Sequence, residues 1–487
     1  MEPFLNRRRF LQVTAAGAAG YLTAARNPAV LAAADPKAKL ISPGCRGTKV
    51  KIALLFMGQP NNPYWPKPNL DLEKEMKFYR SQFARLKEHF ADVEFVLEKL
   101  VASPGDVRSV EGTLKSADGV LVIHLTTSTS GVLESILQVG NYTMVFAVPY
   151  SGHGWTHFGK LMNQPIGAKM DCILTSDYDQ LAAAVSPLRA IHHLKQAKIL
   201  DLTTSDSRMP ADYIRGVREK FGTQIERLAL ERVLDAYRAV SEKAAEAEAK
   251  RWIKRAQKVV EPSYQEVVDS CRLALAFEKL LDEDKATVMT VDCYGTMFEP
   301  LCRKYAYPCI GFTRLNDMGL GGICESDLWS AMTHIVFQGL CGRPGFISDP
   351  TIDESRNSVI LAHCLGTTKM DGPNGPAAPY KLRSIMERRE GVVPQVRMRI
   401  GQKVTQARLI GTDLMLYFTG RIIDTPVSLS DDRGCRTKIT VEVDGDVRKL
   451  WRNWAHGLHR VTCYGDVTAQ MRTFCRFKQI EMVNEAV

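Results

Sequence analysis

The chain has 487 residues, 45% hydrophobic and 24% charged, a balance that excludes a disordered or collagen-like protein and leaves room for two or three domains. Its formal charge is +10, but the basic residues are scattered among acids, and no stripe of lysines and arginines with interleaved aromatics marks a nucleic-acid surface. After residue 34 no segment offers the roughly 18 uninterrupted apolar residues of a membrane-spanning helix.

Residues 1–34 stand apart. "NRRRFLQVTAAGAAGYLTAARNPAVLAAA" joins paired arginines, Arg7 and Arg8, to Phe10, Leu11 and a small, weakly apolar run. This is the pattern of a twin-arginine export signal, and Ala32-Ala33-Ala34 offers an A-x-A cleavage site before Asp35. The expectation is a soluble mature protein that is periplasmic or otherwise exported, without stable membrane insertion once the signal is cut; an uncleaved tether is the competing reading. Cleavage removes Arg7, Arg8, Arg9 and Arg26 against Glu2, so a positive excess remains. The 12 cysteines include no C-x-x-C pair, and several sit in apolar runs (Cys172, Cys271, Cys463). Reduced core thiols therefore fit better than a disulfide framework.

A linker over 35–49 leads into an N-terminal α/β domain over 50–170. There "KIALLFMG", "VEFVLEKLV", "GVLVIHLT" and "TMVFAVPY" alternate with helical periodicity, the rhythm of a parallel sheet. The loops "GQPNNPYWPKPN" and "PYSGHGW" carry Tyr64, Trp65, His153 and Trp155, suited either to stacking on sugars or to anchoring the loops. A second α/β domain, 171–355, follows. It holds a capped helix with His192 and His193 in packed or solvated positions, two long charged helices over about 231–258 and 264–281, and the strand "KATVMTVDC". The roles of Asp292 and Cys293, at the end of that strand, stay open.

The stretch "GICESDLWSAMTHIVFQGLCGRPGFISDP", residues 322–350, predicts a helix capped by Ser326 or Asp327 and stopped by Gly342 and Pro344, then a short strand. Glu325 falls at the helix N-terminus and Asp349 at the far end of the strand. If that strand is parallel, both acids reach the ligand-binding edge of the sheet, and His363, ending the apolar run "NSVILAHC", joins them if its strand is parallel too. Two carboxylates and an imidazole form a divalent-metal set whose oxygen content favours Mn²⁺ or Mg²⁺, with Zn²⁺ or Co²⁺ as alternatives. Each also has a plain structural role: a charge at the helix dipole, a turn cap before Pro350, a buried strand-end histidine. His334, inside the helix, reads as packing. Residues 356–487 change to two-residue alternation with a hairpin signal at Asp444-Gly445, a β-rich barrel or sandwich.

From about residue 170 onward the chain resembles the L-fucose isomerase and L-arabinose isomerase superfamily. The resemblance is carried by "CESDLWSAMTHIVFQGLCGRPGFISDP", "LAHC", "APYKLRS", "GCRTKITVEV" and "GLHRVTCYGD", in that order. It implies two doubly wound, Rossmann-like α/β domains followed by a β-rich domain, with a metal site between the second and third. Glu325 then matches a metal ligand that also transfers protons, Asp349 the second acidic ligand and His459 the C-terminal histidine ligand, with His456 the competing choice. His363 resembles an added histidine ligand of the arabinose branch. The implied activity is aldose–ketose interconversion through an enediol, with Glu325 and Asp349 catalytic, Mn²⁺ the first choice of metal, a monosaccharide as substrate and a homo-oligomeric assembly. Two readings stand beside it: a periplasmic carbohydrate-binding protein without catalysis, and an epimerase or lyase step on the same scaffold.

Overall fold

The computed structural model describes residues 48–426 and 433–487. The segment read as an export signal, 1–34, lies outside the described residues, as does most of the linker. Among the described residues no helix is long and apolar enough to cross a membrane.

The first sheet contains β1 (Val50–Met57), β2 (Val93–Val101), β3 (Gly119–His124), β4 (Thr143–Ala147) and β5 (Met170–Leu174). Their order is β2-β1-β3-β4-β5, all parallel. The central strands β1, β3 and β4 read as near-continuous apolar runs because helices cover both faces, so alternation would place polar groups in a core. The second sheet, β7-β6-β8-β9, is also parallel and uses β6 (Lys198–Leu202), β7 (Gln224–Arg227), β8 (Val288–Val291) and β9 (Gly321–Cys324). The charged helix expected over about 231–258 is instead two, Leu230–Ala239 and Glu242–Arg255. Ser241 breaks it, leaving the helical conformation and accepting the Ala244 N–H as a cap.

The helix Gln180–Gln196 bridges the two units, packing on the first sheet through Leu181, Val185 and Leu188 and on the helix Leu328–Cys341 through Ala190. The approach to that second helix is close: a Cβ on Gly339 would stand 2.4 Å from Ala190 Cα. His192 and His193 are buried in this bridge, and His192 Nδ1 lies 2.9 Å from Asp118.

The third unit is a closed barrel. β10 (Phe346–Asp353), β11 (Ser358–His363), β14 (Lys403–Ile410), β15 (Leu414–Asp424), β16 (Thr437–Val443) and β17 (Arg460–Tyr464) follow the order β14-β17-β10-β11-β16-β15, and β14 pairs back with β15 to close the ring. β18 (Glu481–Asn484) extends it beside β15, and β12 (Tyr380–Arg383) pairs with β13 (Val393–Val396) as a separate hairpin. Phe346, Val359, Leu361, Val404, Phe418, Ile439 and Val441 share one apolar cluster, while Ile347, Ala407, Leu409, Met415 and Val461 pack with the helix Leu328–Cys341. In β10, β14, β15 and β17, alternation thus gives one face to the first cluster and the other to the α/β unit.

This arrangement corrects the expectation that the strand after the helix is parallel. β10 runs antiparallel to both β11 and β17 and belongs to the barrel, not to an α/β layer, and β11 is antiparallel as well. A run as short as "GFIS", with two apolar residues, carries no signal for strand direction.

Candidate metal and proton-transfer site

Glu325 directly follows β9, at the C-terminal edge of the second parallel sheet. It and Ser326 have φ of 63° and 50°, a left-handed pair that reverses the chain before the helix begins. Such a conformation costs energy in non-glycine residues and is held here from several sides. Ser326 Oγ donates to Asp201 at 2.5 Å, at the corresponding edge of β6, and Ser326 N–H donates to the Val291 carbonyl. Asp327 then caps the helix, accepting the Ser330 N–H at 3.1 Å and the Ser330 hydroxyl at 2.7 Å.

The barrel supplies the other side. Ile347 pairs with Val461 and Ser348 with Arg460, so the same outward face of the two strands brings Asp349 beside His459. Asp349 pairs with Ala362, and His363 follows one residue later at the end of β11. The side chains of Glu325, His363 and His459 offer ligand atoms that all lie within 4.8 Å of one another. His363 Nε2 is 3.6 Å from one Glu325 oxygen, His459 Nε2 is 3.9 Å from the other, and Asp349 Oδ1 joins through His459 Nε2 at 3.4 Å. The two imidazoles meet edge to face at 5.5 Å.

These spacings fit one cation. Metal–ligand bonds of about 2.0–2.2 Å put neighbouring donor atoms roughly 3.0–3.6 Å apart, within small side-chain adjustments of what is seen. The orientation of His459 fits as well: its Nδ1 is 2.7 Å from Asp327 Oδ2, which fixes the tautomer with Nε2 free as a ligand. Asp327 is in turn held by both terminal nitrogens of Arg408, at 2.8 and 3.1 Å.

Electrostatics follow the geometry. Burial works against charge on Glu325, but His363, His459 and the more distant Arg208 hold its carboxyl below the usual range. Burial alone would lower the pKa of His363; the Glu325 contact, then Cys364 and the charge of Asp349, raise it to about 9. Burial works against charge on Asp327 too, but His459 and Arg408 hold its carboxyl far below the carboxylate range.

The antiparallel correction changes how the site is built. Glu325 reaches it from a sheet edge as expected, but Asp349, His363 and His459 arrive from barrel strands. Of the competing C-terminal histidines, His459 is buried in the cluster whereas His456 is exposed outside it. His334 is buried packing, its Nδ1 accepting the Gly345 N–H at 3.1 Å. Asp292 is a buried clamp for the loop after β8, accepting from the Thr203 hydroxyl and from Thr296 N–H at 3.1 and 2.9 Å, with Arg208 3.6 Å away. In the N-terminal domain Trp65 packs on His153 at 5.0 Å, while Tyr64 and Trp155 are exposed. Sequence reasoning saw Asp327 only as a helix cap. Its partner His459 lies 132 residues away, and no local signal connects the two.

No family model matches the chain. Among characterised proteins, the sulfoquinovose isomerase of Clostridium sp. (strain MSTE9) is 24% identical over 229 residues, 43% of this chain and 46% of that relative. The chain therefore spans a little under half the length of the relative it matches. The likeness is a distant one, to a sugar isomerase.

Proposed function

We propose that this chain is an exported, divalent-metal-dependent sugar isomerase that interconverts an aldose and a ketose through an enediol. The observation that carries the reading is the convergence of Glu325, His363 and His459, with Asp349 at the rim of the group beside His459, delivered by a sheet edge and by separate barrel strands. The distant likeness to a sugar isomerase supports it.

Glu325, Asp349, His363 and His459 would hold the ion, with Mn²⁺ the first choice and Mg²⁺, Co²⁺ or Zn²⁺ as alternatives. When bound, such an ion supplies Lewis acidity toward neighbouring sugar oxygens. The remaining work belongs to the chain. The Glu325 carboxylate, kept ionised by its basic neighbours, takes the proton from the carbon next to the carbonyl and passes it to the carbonyl oxygen to give the enediol; Asp349 takes the proton of the neighbouring hydroxyl and delivers it to the former carbonyl carbon, so both carboxylates end as they began. Their side chains are 26% and 37% exposed, so both are reachable from solvent. Asp327 keeps His459 in place and Arg408 keeps Asp327 ionised, so the acid–base pair works against a fixed wall.

The test is metal analysis and turnover together. One divalent ion per chain, lost in an Asp349→Asn, His459→Ala double variant, with solvent deuterium entering C2 of an aldose in D₂O and none in Glu325→Gln, is the expected result. Tight sugar binding with no ion and no exchange would make the chain a carbohydrate-binding protein instead. Export rests on Arg7 and Arg8; replacing both by lysine should retain the precursor in the cytoplasm, and unchanged export would remove that part of the proposal. Assembly into a homo-oligomer belongs to the same reading and is checked by light scattering.

A further inference from the structure

A second cluster of ligand-type side chains begins one residue beyond His363, at Cys364. β11 and β16 pair with His363 opposite Thr437, so the residue after one strand and the residues before the other are neighbours: Cys364 meets Cys435. Arg436, between Cys435 and Thr437, donates from Nε to the Ser384 carbonyl at 2.8 Å and draws in the loop that follows β12. That loop closes on itself through Ile385 N–H to the Glu390 carbonyl and Arg389 N–H to the Ile385 carbonyl, and it presents Glu387 to the two thiols.

The sulfurs of Cys364 and Cys435 and a carboxylate oxygen of Glu387 all lie within 4.8 Å of one another. Cys435 Sγ is 3.3 Å from Glu387 Oε1, and the Tyr294 hydroxyl bridges the remaining side, 3.2 Å from Glu387 Oε2 and 3.5 Å from Cys364 Sγ. Arg388 lies over the Tyr294 ring at 5.4 Å, placing a positive charge near the Glu387 carboxylate. Cys364 is buried, Cys435 half-buried and Glu387 exposed, so the cluster has a solvent side through which an ion can enter. Two thiols and a carboxylate are a different donor chemistry from that at Glu325: sulfur selects softer ions, and three protein ligands leave a fourth tetrahedral position for water.

We propose that Cys364, Cys435 and Glu387 form a second, thiolate-rich site for a divalent ion of the Zn²⁺ class, with Tyr294 orienting Glu387. Binding releases the two thiol protons to solvent, forms two metal–sulfur bonds and involves no change of oxidation state. The ion adds a direct link among three segments that the Arg436–Ser384 bond already brings together: the end of β11, the Glu387 loop and the approach to β16. The site does not depend on the isomerase reading and stands or falls separately from it.

Cobalt distinguishes the two centres, because only thiolate ligation gives a sulfur-to-cobalt charge-transfer band in the near ultraviolet. The full chain, kept reduced, is titrated with Co²⁺. The expected result is a band that saturates near one equivalent per chain, is abolished by Zn²⁺ but not by Mn²⁺, is lost in Cys435→Ser and weakened in Glu387→Gln, and persists in Cys341→Ser. The last variant matters because Cys341 and Cys463 form another close thiol pair, at 3.4 Å. Cys435→Ala, monitored by circular dichroism, provides a second route should the serine variant misfold. No band in the reduced wild-type chain, or one that follows Cys341 instead of Cys435, overturns the proposal. So does a Cys364–Cys435 disulfide that forms in air and, once reduced, yields no band.

Discussion

Asp327 and His459, 132 residues apart, meet at 2.7 Å, and the same carboxylate caps a helix and accepts from Arg408. The start of a helix, a barrel loop and a barrel strand are thereby fixed to one buried charge. Asp327→Asn preserves the shape but removes that charge. Loss of such a supporting contact typically weakens metal binding by about 10–100-fold. Calorimetric titration with Mn²⁺ checks this; unchanged affinity would show that His459 needs no help from Asp327.

His334 sets a pH dependence of stability. Burial lowers its pKa to about 4, and the neutral ring is matched on both sides, Nδ1 accepting from Gly345 N–H and Nε2 lying 3.4 Å from the Leu320 carbonyl. The folded value lies below the unfolded value of about 6.5, so the unfolded chain binds the proton first. The contribution is present above pH about 6.5 and is lost as pH falls toward 4, at most about 3 kcal/mol. Urea midpoints across this window should fall with pH in the wild type and fall less in His334→Gln. Equal slopes would assign the acid sensitivity to other groups.

Arg460 and Glu485 form an ion pair in which both side chains are fully buried, with contacts of 2.5 and 2.9 Å. Arg460 also donates to the carbonyls of Ala455, Gly457 and His459, so it pins the loop that carries His459. Cutting such a pair on one side leaves an uncompensated buried charge and costs about 3–5 kcal/mol. Glu485→Ala should therefore lower the thermal midpoint strongly. The double variant Arg460→Met, Glu485→Leu should recover much of the stability while the His459 loop loosens and metal affinity falls. A double variant that binds metal as tightly as the wild type would separate the ion pair from the site.

Two glycine-to-alanine changes in helices should have opposite signs. In an open helix position the change stabilises by about 0.4–1 kcal/mol, and Gly216, whose nearest neighbour would be Thr412 Cγ2 at 3.6 Å, is such a position. At Gly339 the new Cβ would strike Ala190 Cα at 2.4 Å, main chain that cannot turn aside, and overpacking of this kind costs about 1–3 kcal/mol. Differential scanning calorimetry of the two variants should show a rise for Gly216→Ala and a drop for Gly339→Ala. A rise in both would mean the helices part without cost.

The α/β units were legible because buried parallel strands and amphipathic helices write themselves as local periodicity, as in "KIALLFMG" and in Leu328 to Leu340. The barrel was legible as two-residue alternation. Strand direction was not: Phe346, Ile347 and Ser348 look the same in a parallel layer and in a barrel, and only the pairing with β17 decides between them. Glu325 and Asp349 could be singled out as acids flanking a helix. The placement of His459 came only from resemblance, since "HGLHRVTCYG" offers two histidines and no spacing rule that prefers one. The hydrogen bond from His459 to Asp327 depends on barrel closure, which no window of sequence records.

The helix between the two acids acts as a measured length. Fourteen helical residues, Leu328–Cys341, carry the chain about 21 Å away from Glu325, and only seven residues, 342–348, a left-handed Gly342, a short loop and the start of β10, bring it back to Asp349. The bond from Gly345 to His334 locks the return leg against the middle of the outward one. An insertion in one leg is therefore not absorbed by slack: one extra helical residue turns everything beyond it by about 100° and moves Asp349 off register. Across any set of descendants of this chain, length changes should collect in the loops of the first sheet and avoid the 24-residue interval from Glu325 to Asp349.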